Sequence, residues 1–351
     1  MADPETLSPT TVLQRVERLA ESRQTLVDEV GKAIVGQREA IDMMLIALLC
    51  RGHVLLHGVP GLGKTLMART LAAALDLQFG RVQFTPDLMP SDIVGAEMVE
   101  TDAAGGSPTL KFVPGPVFTN FLLADEINRT PPKTQSALLE AMAEQTVSVA
   151  GQTHVLKPPF FVVATQNPIE MEGTYPLPEA QVDRFMFNVR IEYPSLDEET
   201  RILKETTVAA VPDVRPVMSR REILELQTIV RDVPIADDVI RFAARLVAAT
   251  RPSADDAMHR RLGLADDPAG RVRSYVAYGA SPRAGQSLVL ASKARAILDG
   301  RPHVNFDDVV AVAPAVLRHR VVMNFHARAD DVDSDRLIAD LIGGLSREPV
   351  R

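Results

Sequence analysis

The chain has 351 residues, enough for two domains, and 46 % of them are apolar, as is usual for globular proteins. A formal net charge of −8 and the absence of tryptophan argue against broad nucleic-acid binding and base stacking. The single cysteine excludes an internal disulfide, and the apolar run over residues 43–50 is too short to span a bilayer. The acidic N-terminus lacks the apolar segment of a secretory signal, so we expect a cytoplasmic protein.

The N-terminal half predicts an α/β domain. Helical periodicity favours helices over residues 13–30 and 38–50. Short apolar runs of strand length follow, each leading through a turn into a helical stretch. These runs cover residues 54–56, 82–84, 121–124, 160–164 and 189–191. Strands that alternate with helices predict a parallel sheet covered on both faces, and we place this domain over residues 1–195.

Two segments interrupt that alternation. Residues 97–112 read as two short strands around a loose turn at residues 102–108, and residues 146–156 read as strands around Ala150 and Gly151. Neither segment continues the alternation of strands and helices that builds the sheet. Both are therefore expected to be hairpins on the surface of the domain.

Residues 196–351 are predicted to form a helical domain. Ser195 and Glu198 have the spacing of a capping box, which predicts a helix start. Apolar periodicity favours further helices over residues 235–250, 285–298 and 306–317, the last capped by Asn305. Residues 251–273 are rich in Asp, Pro, Gly and Arg, and we expect a long loop there.

The segment Gly58-Val-Pro-Gly-Leu-Gly-Lys64-Thr65 matches the phosphate-binding pattern G-x-x-x-x-G-K-[ST] and lies between a strand and a helix-forming run. Backbone N–H groups at a helix N-terminus are expected to hold phosphates. Lys64 is expected to reach the β- and γ-phosphates, and the Thr65 hydroxyl is expected to bind Mg²⁺. The predicted nucleotide contacts in this loop are Gly58, Pro60, Gly61, Leu62, Gly63, Lys64, Thr65 and Leu66.

Polar residues follow two of the predicted strands. Asp125 and Glu126 end the strand at residues 121–124, and ligands bind at the carboxyl edge of such sheets. Asp125 is expected to hold Mg²⁺ through water, and Glu126 to deprotonate the attacking water. Asn167 follows the next strand and is expected to position that water or contact the γ-phosphate. The alternative for Asn167 is a strand-ending turn before Pro168.

Two arginines are candidates for stabilising charge on the transferred phosphate. Arg184 precedes the last strand, and an arginine at a nucleotide edge can accelerate phosphoryl transfer by about 10³ to 10⁵. Arg283 follows Ser281 and Pro282 at a predicted helix start, from which it could couple the helical domain to the nucleotide. A surface ion pair for Arg184 and a solvated helix start for Arg283 stay open as alternatives.

These motifs, in this order, resemble those of MoxR-type AAA+ ATPases. The resemblance covers residues 26–348, and residues 84–93 and 172–178 also look like the family. Its nucleotide-site motifs are Gly58 to Thr65, Asp125-Glu126-Ile-Asn128-Arg129, Ala164-Thr-Gln-Asn167-Pro, Leu177 to Phe185 with Asp183-Arg184, and Ser281-Pro-Arg283. The family fold implies an AAA+ P-loop NTPase core with a five-stranded parallel sheet, a helix-2 insert and a pre-sensor-1 hairpin, plus an all-α lid domain. The two hairpins predicted above match the two insertions.

The resemblance also implies roles for the site residues. Lys64 and Thr65 match Walker A, Asp125 and Glu126 match Walker B, Asn167 matches sensor 1, Arg283 matches sensor 2, and Arg184 matches an arginine finger that acts on the ATP of the neighbouring subunit. Val35 and Gly36 resemble the segment near the adenine. Arg129 is a second candidate for an arginine that acts in trans. The preference for ATP over GTP rests on this resemblance alone.

By the same resemblance we expect a magnesium-dependent ATP hydrolase that forms a homo-oligomer, a hexameric ring. The family suggests a chaperone-like remodeller that assists maturation or cofactor insertion of protein complexes, with a partner that carries a von Willebrand factor A domain. One alternative is a DNA-acting AAA+ motor, since related rings with the same hairpins act on DNA, although the acidic charge disfavours it. Another alternative is an ATP-switched scaffold with negligible turnover.

Overall fold

The chain folds into two compact units, which the computed structural model describes over residues 21–100, 109–169, 173–207, 213–253, 256–345 and 347. The first unit comprises Thr25–Phe185 and Val189–Leu224. The second comprises the described parts of Met1–Gln24, Met186–Asn188 and Glu225–Arg351. Of the predicted helix over residues 13–30, the part at residues 21–30 is helical, and residues 13–20 lie outside the described residues.

Strands and helices alternate along the first part of the chain. The strands are β1 Val54–His57, β2 Phe79–Gln83, β3 Gly95–Glu100, β4 Thr109–Pro114, β5 Phe121–Asp125, β6 Thr146–Val149, β7 Gln152–Val155, β8 Phe161–Gln166 and β9 Phe187–Arg190. The helices are α1 Arg38–Leu49, α2 Lys64–Ala74, α3 Pro90–Val94, α4 Pro132–Glu144, α5 Glu179–Val182 and α6 Leu196–Thr206, and a 3₁₀ turn covers Ile127–Arg129.

Five of these strands form one sheet in the order β2–β5–β8–β1–β9. The pairs β2–β5, β5–β8 and β1–β8 are parallel. Every residue of β5 is buried, as is every residue of β8 except Gln166, which explains why both strands are apolar runs without alternation. The predicted α/β core with its five-stranded sheet is confirmed.

Helix α4 covers part of this sheet with Leu138, Leu139 and Met142. They pack in one cluster with strand residues that include Leu55 and Val162. Fully burying a side chain of this kind contributes about 1.5–3 kcal/mol. The cluster therefore anchors the strands whose carboxyl ends carry the polar residues singled out above.

Both predicted hairpins are present. Strands β3 and β4 pair antiparallel, with Glu97 opposite Phe112, and their turn at residues 101–108 lies outside the described part of the chain. Strands β6 and β7 also pair antiparallel and turn at Ala150 and Gly151, which both have positive φ. The Phe112 ring stacks on His154 with centroids 4.0 Å apart, so the two hairpins contact each other.

The second unit is mainly helical. Helix α7, Arg220–Asp232, contains the boundary between the two units. The helices after it are α8 Asp237–Ala249, α9 Asp256–Arg261, α10 Asp266–Tyr275, α11 Pro282–Leu298, α12 Phe306–Leu317, α13 Phe325–Ala329 and α14 Ser334–Gly344. Strands β10 Val276–Tyr278 and β11 Val322–Met323 form a short antiparallel ribbon. The predicted cap of α12 is confirmed, since Asn305 Oδ1 accepts the Asp308 N–H at 3.0 Å. No helix within the described ranges has the length and apolar character that a membrane span requires.

The predicted loop over residues 251–273 is wrong, because this segment contains α9 and most of α10. Asp266 and Asp267 lie in the first turn of α10, where acidic side chains interact favourably with the helix dipole. Pro268 lies in that same turn and is tolerated there because the first turn has no intrahelical N–H bond to lose. Ala269 and Val272 are buried, so burial of one face stabilises a helix that the composition disfavours.

Candidate functional site

The loop between β1 and α2 turns sharply and depends on glycine. Gly61 and Gly63 have φ of +84° and +71°, in the region that favours glycine. A Cβ at Gly58 would lie 2.9 Å from the Ile191 Cβ, so a side chain is excluded there. Gly63 is the N-cap residue of α2, so the loop lies at the N-terminus of this helix, where the helix dipole stabilises an anion.

Lys64 and Thr65 begin α2. Lys64 Nζ folds back over the loop and donates to the carbonyl oxygens of Gly58 at 2.7 Å and Val59 at 2.8 Å. Thr65 Oγ1 donates to Asp125 Oδ2 at 3.2 Å. A hydroxyl and a carboxylate oxygen at this spacing are the hard donors that Mg²⁺ takes, together with water. The residues present therefore fit a magnesium ion beside the loop.

Asp125 is held by three side chains. It is 8 % exposed at the end of β5, and its Oδ1 accepts the Thr165 hydroxyl at 2.7 Å. Its Oδ2 accepts Arg81 Nη2 at 2.8 Å and Arg81 Nε at 3.2 Å, in addition to Thr65. The buried carboxylate thus has its charge paired and both oxygens hydrogen-bonded, as burial of a charge requires.

Glu126 has a strained backbone and a restrained side chain. Its φ is +58°, which is uncommon for a residue other than glycine, and its N–H donates to Thr165 Oγ1 at 2.8 Å. Its Oε2 accepts Gln83 Nε2 at 2.6 Å and lies 3.2 Å from Arg129 Nε. Thr165 therefore fixes the main chain between Asp125 and Glu126. Gln83 and Arg129 fix the direction of the Glu126 carboxylate.

Asn167 lies just past β8. It is 6 % exposed, and its Oδ1 accepts the Ile169 N–H at 3.2 Å. Its Nδ2 has no hydrogen-bond partner among the described residues. Leaving a buried polar group without a partner costs about 1–3 kcal/mol, so this amide has a donor to offer to a water molecule or a ligand.

The sheet order explains why these residues meet. Strand β8 lies between β5 and β1, so the carboxyl ends that carry Asp125, Asn167 and the loop are neighbours. The register places Gln166 opposite His57, and the Gly58 N–H donates to the Gln166 carbonyl at 3.3 Å. The structure thereby brings the loop, both carboxylates and Asn167 to one edge of the sheet, as the sequence predicts.

A cleft of about 690 Å³ opens beside the loop. Its lining includes Ile34 and Val35, Gly63 and Leu66 of the loop and α2, and Ile202 of α6. Mostly apolar walls and this volume are typical of small-molecule sites. Gly36 instead lines a neighbouring cleft of about 410 Å³, and its φ of +70° lies in the region that favours glycine.

The arginines predicted to act on the phosphate lie in different settings. Arg184 is exposed just after α5, and its Nη1 donates to the Leu139 carbonyl at 2.9 Å. Arg129 pairs with Glu126 of its own chain. Arg283 is exposed in the first turn of α11, in the second unit. The predicted actions of Arg184 and Arg283 on a nucleotide stay predictions.

Sequence reasoning missed Arg81, Gln83 and the role of Thr165. Arg81 and Gln83 alternate with the buried Val82 and so share the opposite face of β2. Gln83 is in register with Asp125 of β5. The sequence does show two polar residues on one face of this strand, which indicates a polar environment for that face. It does not show which strand lies beside β2, so the partners of Arg81 and Gln83 could not be predicted.

The chain is similar to known proteins over nearly its whole length. Residues 53–187 match a family described as "ATPase family associated with various cellular activities (AAA)", and residues 268–341 match the "AAA lid domain".

A protein named Chaperone MoxR1 from Mycobacterium tuberculosis is 44 % identical over 92 % of this chain and 82 % of its own length. A protein named MoxR from Paracoccus denitrificans is 34 % identical over 83 % of this chain and 86 % of its own. The crystal structure of a candidate ATPase from Cytophaga hutchinsonii is 38 % identical, with a TM-score of 0.84 over 95 % of this chain and 97 % of that one.

Proposed function

Because the chain belongs to the MoxR family of AAA+ ATPases, we propose that it binds ATP with Mg²⁺ at residues 58–65 and hydrolyses it in a ring of identical subunits. The hydrogen bond between Thr65 and Asp125, beside an open glycine loop, is the observation that carries this proposal. It joins the two groups that hold a metal nucleotide, at the edge of the sheet where Glu126 and Asn167 also lie.

Each residue at this edge has a proposed task. Lys64 exchanges its two loop carbonyls for the β- and γ-phosphate oxygens, which are stronger acceptors for an ammonium group. Thr65 and Asp125 would hold Mg²⁺, which when bound neutralises part of the phosphate charge. Glu126 accepts a proton from the attacking water, and Asn167 Nδ2 donates to the γ-phosphate or to that water. The cleft beside Val35 receives the base, proposed to be adenine from the family.

The proposed ring supplies the arginine that completes the site. Arg184 is exposed and therefore accessible to a second copy of the chain, and we assign it as the finger that acts on the neighbouring subunit's ATP. Arg283 is proposed as the sensor that links the helical unit to the nucleotide. Arg129 is less suited to a trans role, since it pairs with Glu126 of its own chain. Hydrolysis should therefore depend on assembly, proposed to be hexameric.

The proposed cellular role follows the family. A relative is named as a chaperone, which supports a protein that remodels other proteins during maturation or cofactor insertion. The proposed partner carries a von Willebrand factor A domain, and the proposed location is the cytoplasm.

Mixing variants tests the ATPase assignment. Glu126→Gln protein should bind ATP without turning it over, because the amide cannot accept the proton. Arg184→Ala protein should also be inactive, yet mixing the two should restore activity at interfaces where an intact Glu126 meets an intact Arg184. Arg241→Ala, an exposed arginine on α8, is the matched control and should keep the wild-type rate. Wild-type turnover by Arg184→Ala protein would show that Arg184 is not the finger.

A second experiment tests the partner. Glu126→Gln protein loaded with ATP should retain its protein client in a pull-down, with a von Willebrand factor A protein among those retained. Stimulation of turnover by DNA, with a steep salt dependence, would favour a DNA motor instead. Turnover that neither a retained protein nor DNA changes would favour a scaffold that uses ATP as a switch.

A further inference from the structure

Arg81 occupies the carboxylate oxygen that faces the phosphate-binding loop. Its Nε and Nη2 donate to Asp125 Oδ2 at 3.2 and 2.8 Å, and Thr65 Oγ1 donates to the same oxygen at 3.2 Å. The other oxygen, Oδ1, is taken by the Thr165 hydroxyl at 2.7 Å. Oδ2 is thus the oxygen that Asp125 can offer to a metal beside Thr65, and a guanidinium already holds it.

A guanidinium and a divalent cation on one carboxylate oxygen repel each other. Mg²⁺ bound beside Thr65 would place a double positive charge within a few ångströms of Arg81, in a site where Asp125 is largely shielded from water. Arg81 can withdraw, because its side chain is 47 % exposed and it extends from β2, at one end of the sheet. A half-exposed guanidinium regains its hydration when it moves into water, so breaking this ion pair costs little free energy.

We propose that Arg81 is the resident counter-cation of Asp125 and that it leaves Oδ2 when the metal nucleotide is loaded. This inference rests on the proposed function, since it takes Mg²⁺ and ATP as the ligands of the loop. Arg81 is then a positioning residue that keeps a buried carboxylate paired before loading and weakens metal-dependent binding by competing for Oδ2. Its removal should tighten that binding and leave Asp125 unpaired in metal-free protein.

Nucleotide affinity with and without metal tests this inference. The dissociation constant of a fluorescent, non-hydrolysable ATP analogue is measured in EDTA and in saturating Mg²⁺ for wild type, Arg81→Gln and Arg81→Lys. In Arg81→Gln, the dissociation constant with Mg²⁺ should fall and the ratio of the EDTA value to the Mg²⁺ value should rise about tenfold, as expected for loss of a charge-assisted hydrogen bond. Arg81→Lys keeps the charge without the paired donors and should give an intermediate ratio.

Arg241→Gln is the matched control, since it removes one exposed positive charge on α8 and should leave the ratio unchanged. A thermal melt gives a second readout. In EDTA without nucleotide, Arg81→Gln should melt below Arg241→Gln, and Mg²⁺ with the analogue should remove that difference. If Arg81→Gln does not fold, the ratio in Arg81→Lys and the melt of that variant decide the question.

An unchanged ratio in the Arg81 variants, or weaker binding with Mg²⁺, would overturn the inference, because Arg81 would then stay on Asp125 or assist the metal. Failure of the proposed function looks different. In that case wild type binds the analogue neither in EDTA nor in Mg²⁺.

Discussion

Gln83 Nε2 donates a hydrogen bond to Glu126 Oε2 at 2.6 Å, from a strand that neighbours the one ending in Asp125. The same glutamine accepts Arg81 Nη2 on its Oε1 at 2.7 Å. Glu126 Oε2 also lies 3.2 Å from Arg129 Nε. The carboxylate of the proposed general base is therefore held within its own chain by one hydrogen bond and one ion pair, which together fix its direction.

Replacing Gln83 should loosen this restraint. Gln83→Ala is expected to raise basal ATP turnover several-fold, because a hydrogen bond to a charged group contributes about 1.5–3 kcal/mol and would no longer hold Glu126. Steady-state phosphate release at saturating ATP measures the change. Gln152→Ala, at an exposed position of β7, serves as control. Lower turnover in Gln83→Ala with unchanged ATP binding would mean that Gln83 orients Glu126 for catalysis.

Thr165 connects the two carboxylates, since it donates to Asp125 Oδ1 and accepts the Glu126 N–H. Thr165→Val keeps the shape and removes the hydroxyl, so a buried carboxylate oxygen and a backbone N–H lose their partner. The free energy of unfolding should fall by about 1–3 kcal/mol, measured by urea denaturation. Thr165→Ser retains the hydroxyl and should retain most of the stability. Equal losses in both variants would contradict the role assigned to the hydroxyl, because Thr165→Ser keeps that group.

The sheet and the loop could be predicted from the sequence because their signals are local. Strands β5 and β8 are buried on both faces and therefore read as continuous apolar runs. The loop at residues 58–63 requires glycine for its backbone angles, and the acids follow directly at the end of β5. Parallel strands then bring their carboxyl ends together, so the meeting of Thr65 with Asp125 follows from the fold class.

The contacts of Arg81 and Gln83 could not be predicted in the same way. They depend on β2 lying beside β5 in one register, which places Gln83 opposite Asp125, and a single sequence does not contain that register. Helix α10 was missed for a related reason. Its Asp, Pro and Gly residues disfavour a helix locally, and burial of Ala269 and Val272 in the folded unit outweighs that preference.

Asn167 should affect nucleotide choice more than stability. Its Nδ2 has no partner within the described residues, so Asn167→Ala removes only the bond from the Ile169 N–H to Oδ1. We expect a stability loss of at most about 1 kcal/mol, but a loss of roughly tenfold in the preference for ATP over ADP, because the γ-phosphate would lose a donor. Competition binding with both nucleotides and a urea titration measure the two effects.

Asn324→Ala is the control for Asn167→Ala, because it should lower stability without changing nucleotide choice. Asn324 caps α13 by accepting the Ala327 N–H at 3.1 Å, so its loss should cost about 1 kcal/mol and leave the preference between ATP and ADP unchanged. If Asn167→Ala keeps the wild-type preference for ATP, the proposed contact of Asn167 with the γ-phosphate is wrong.

His53 makes the stability of the chain depend on pH in a defined window. It is 4 % exposed, its Nδ1 accepts the Val162 N–H at 3.1 Å, and its Nε2 lies 3.2 Å from the Met142 carbonyl. Burial lowers the pKa of His53 to about 4, against an ordinary value of 6.5. This folded-state pKa is depressed, so between pH 6.5 and 4 the unfolded chain binds a proton that the folded chain does not.

Stability should therefore be complete above pH 6.5 and fall as the pH drops towards 4, by at most about 3 kcal/mol from this group. His53→Gln offers an acceptor and a donor without titrating, and it should flatten that part of the pH profile. Urea midpoints at half-unit steps from pH 7.5 to 4.5 measure the profile, with the exposed His326→Gln as control. A profile in His53→Gln as steep as that of the control would show that other groups cause the acid sensitivity.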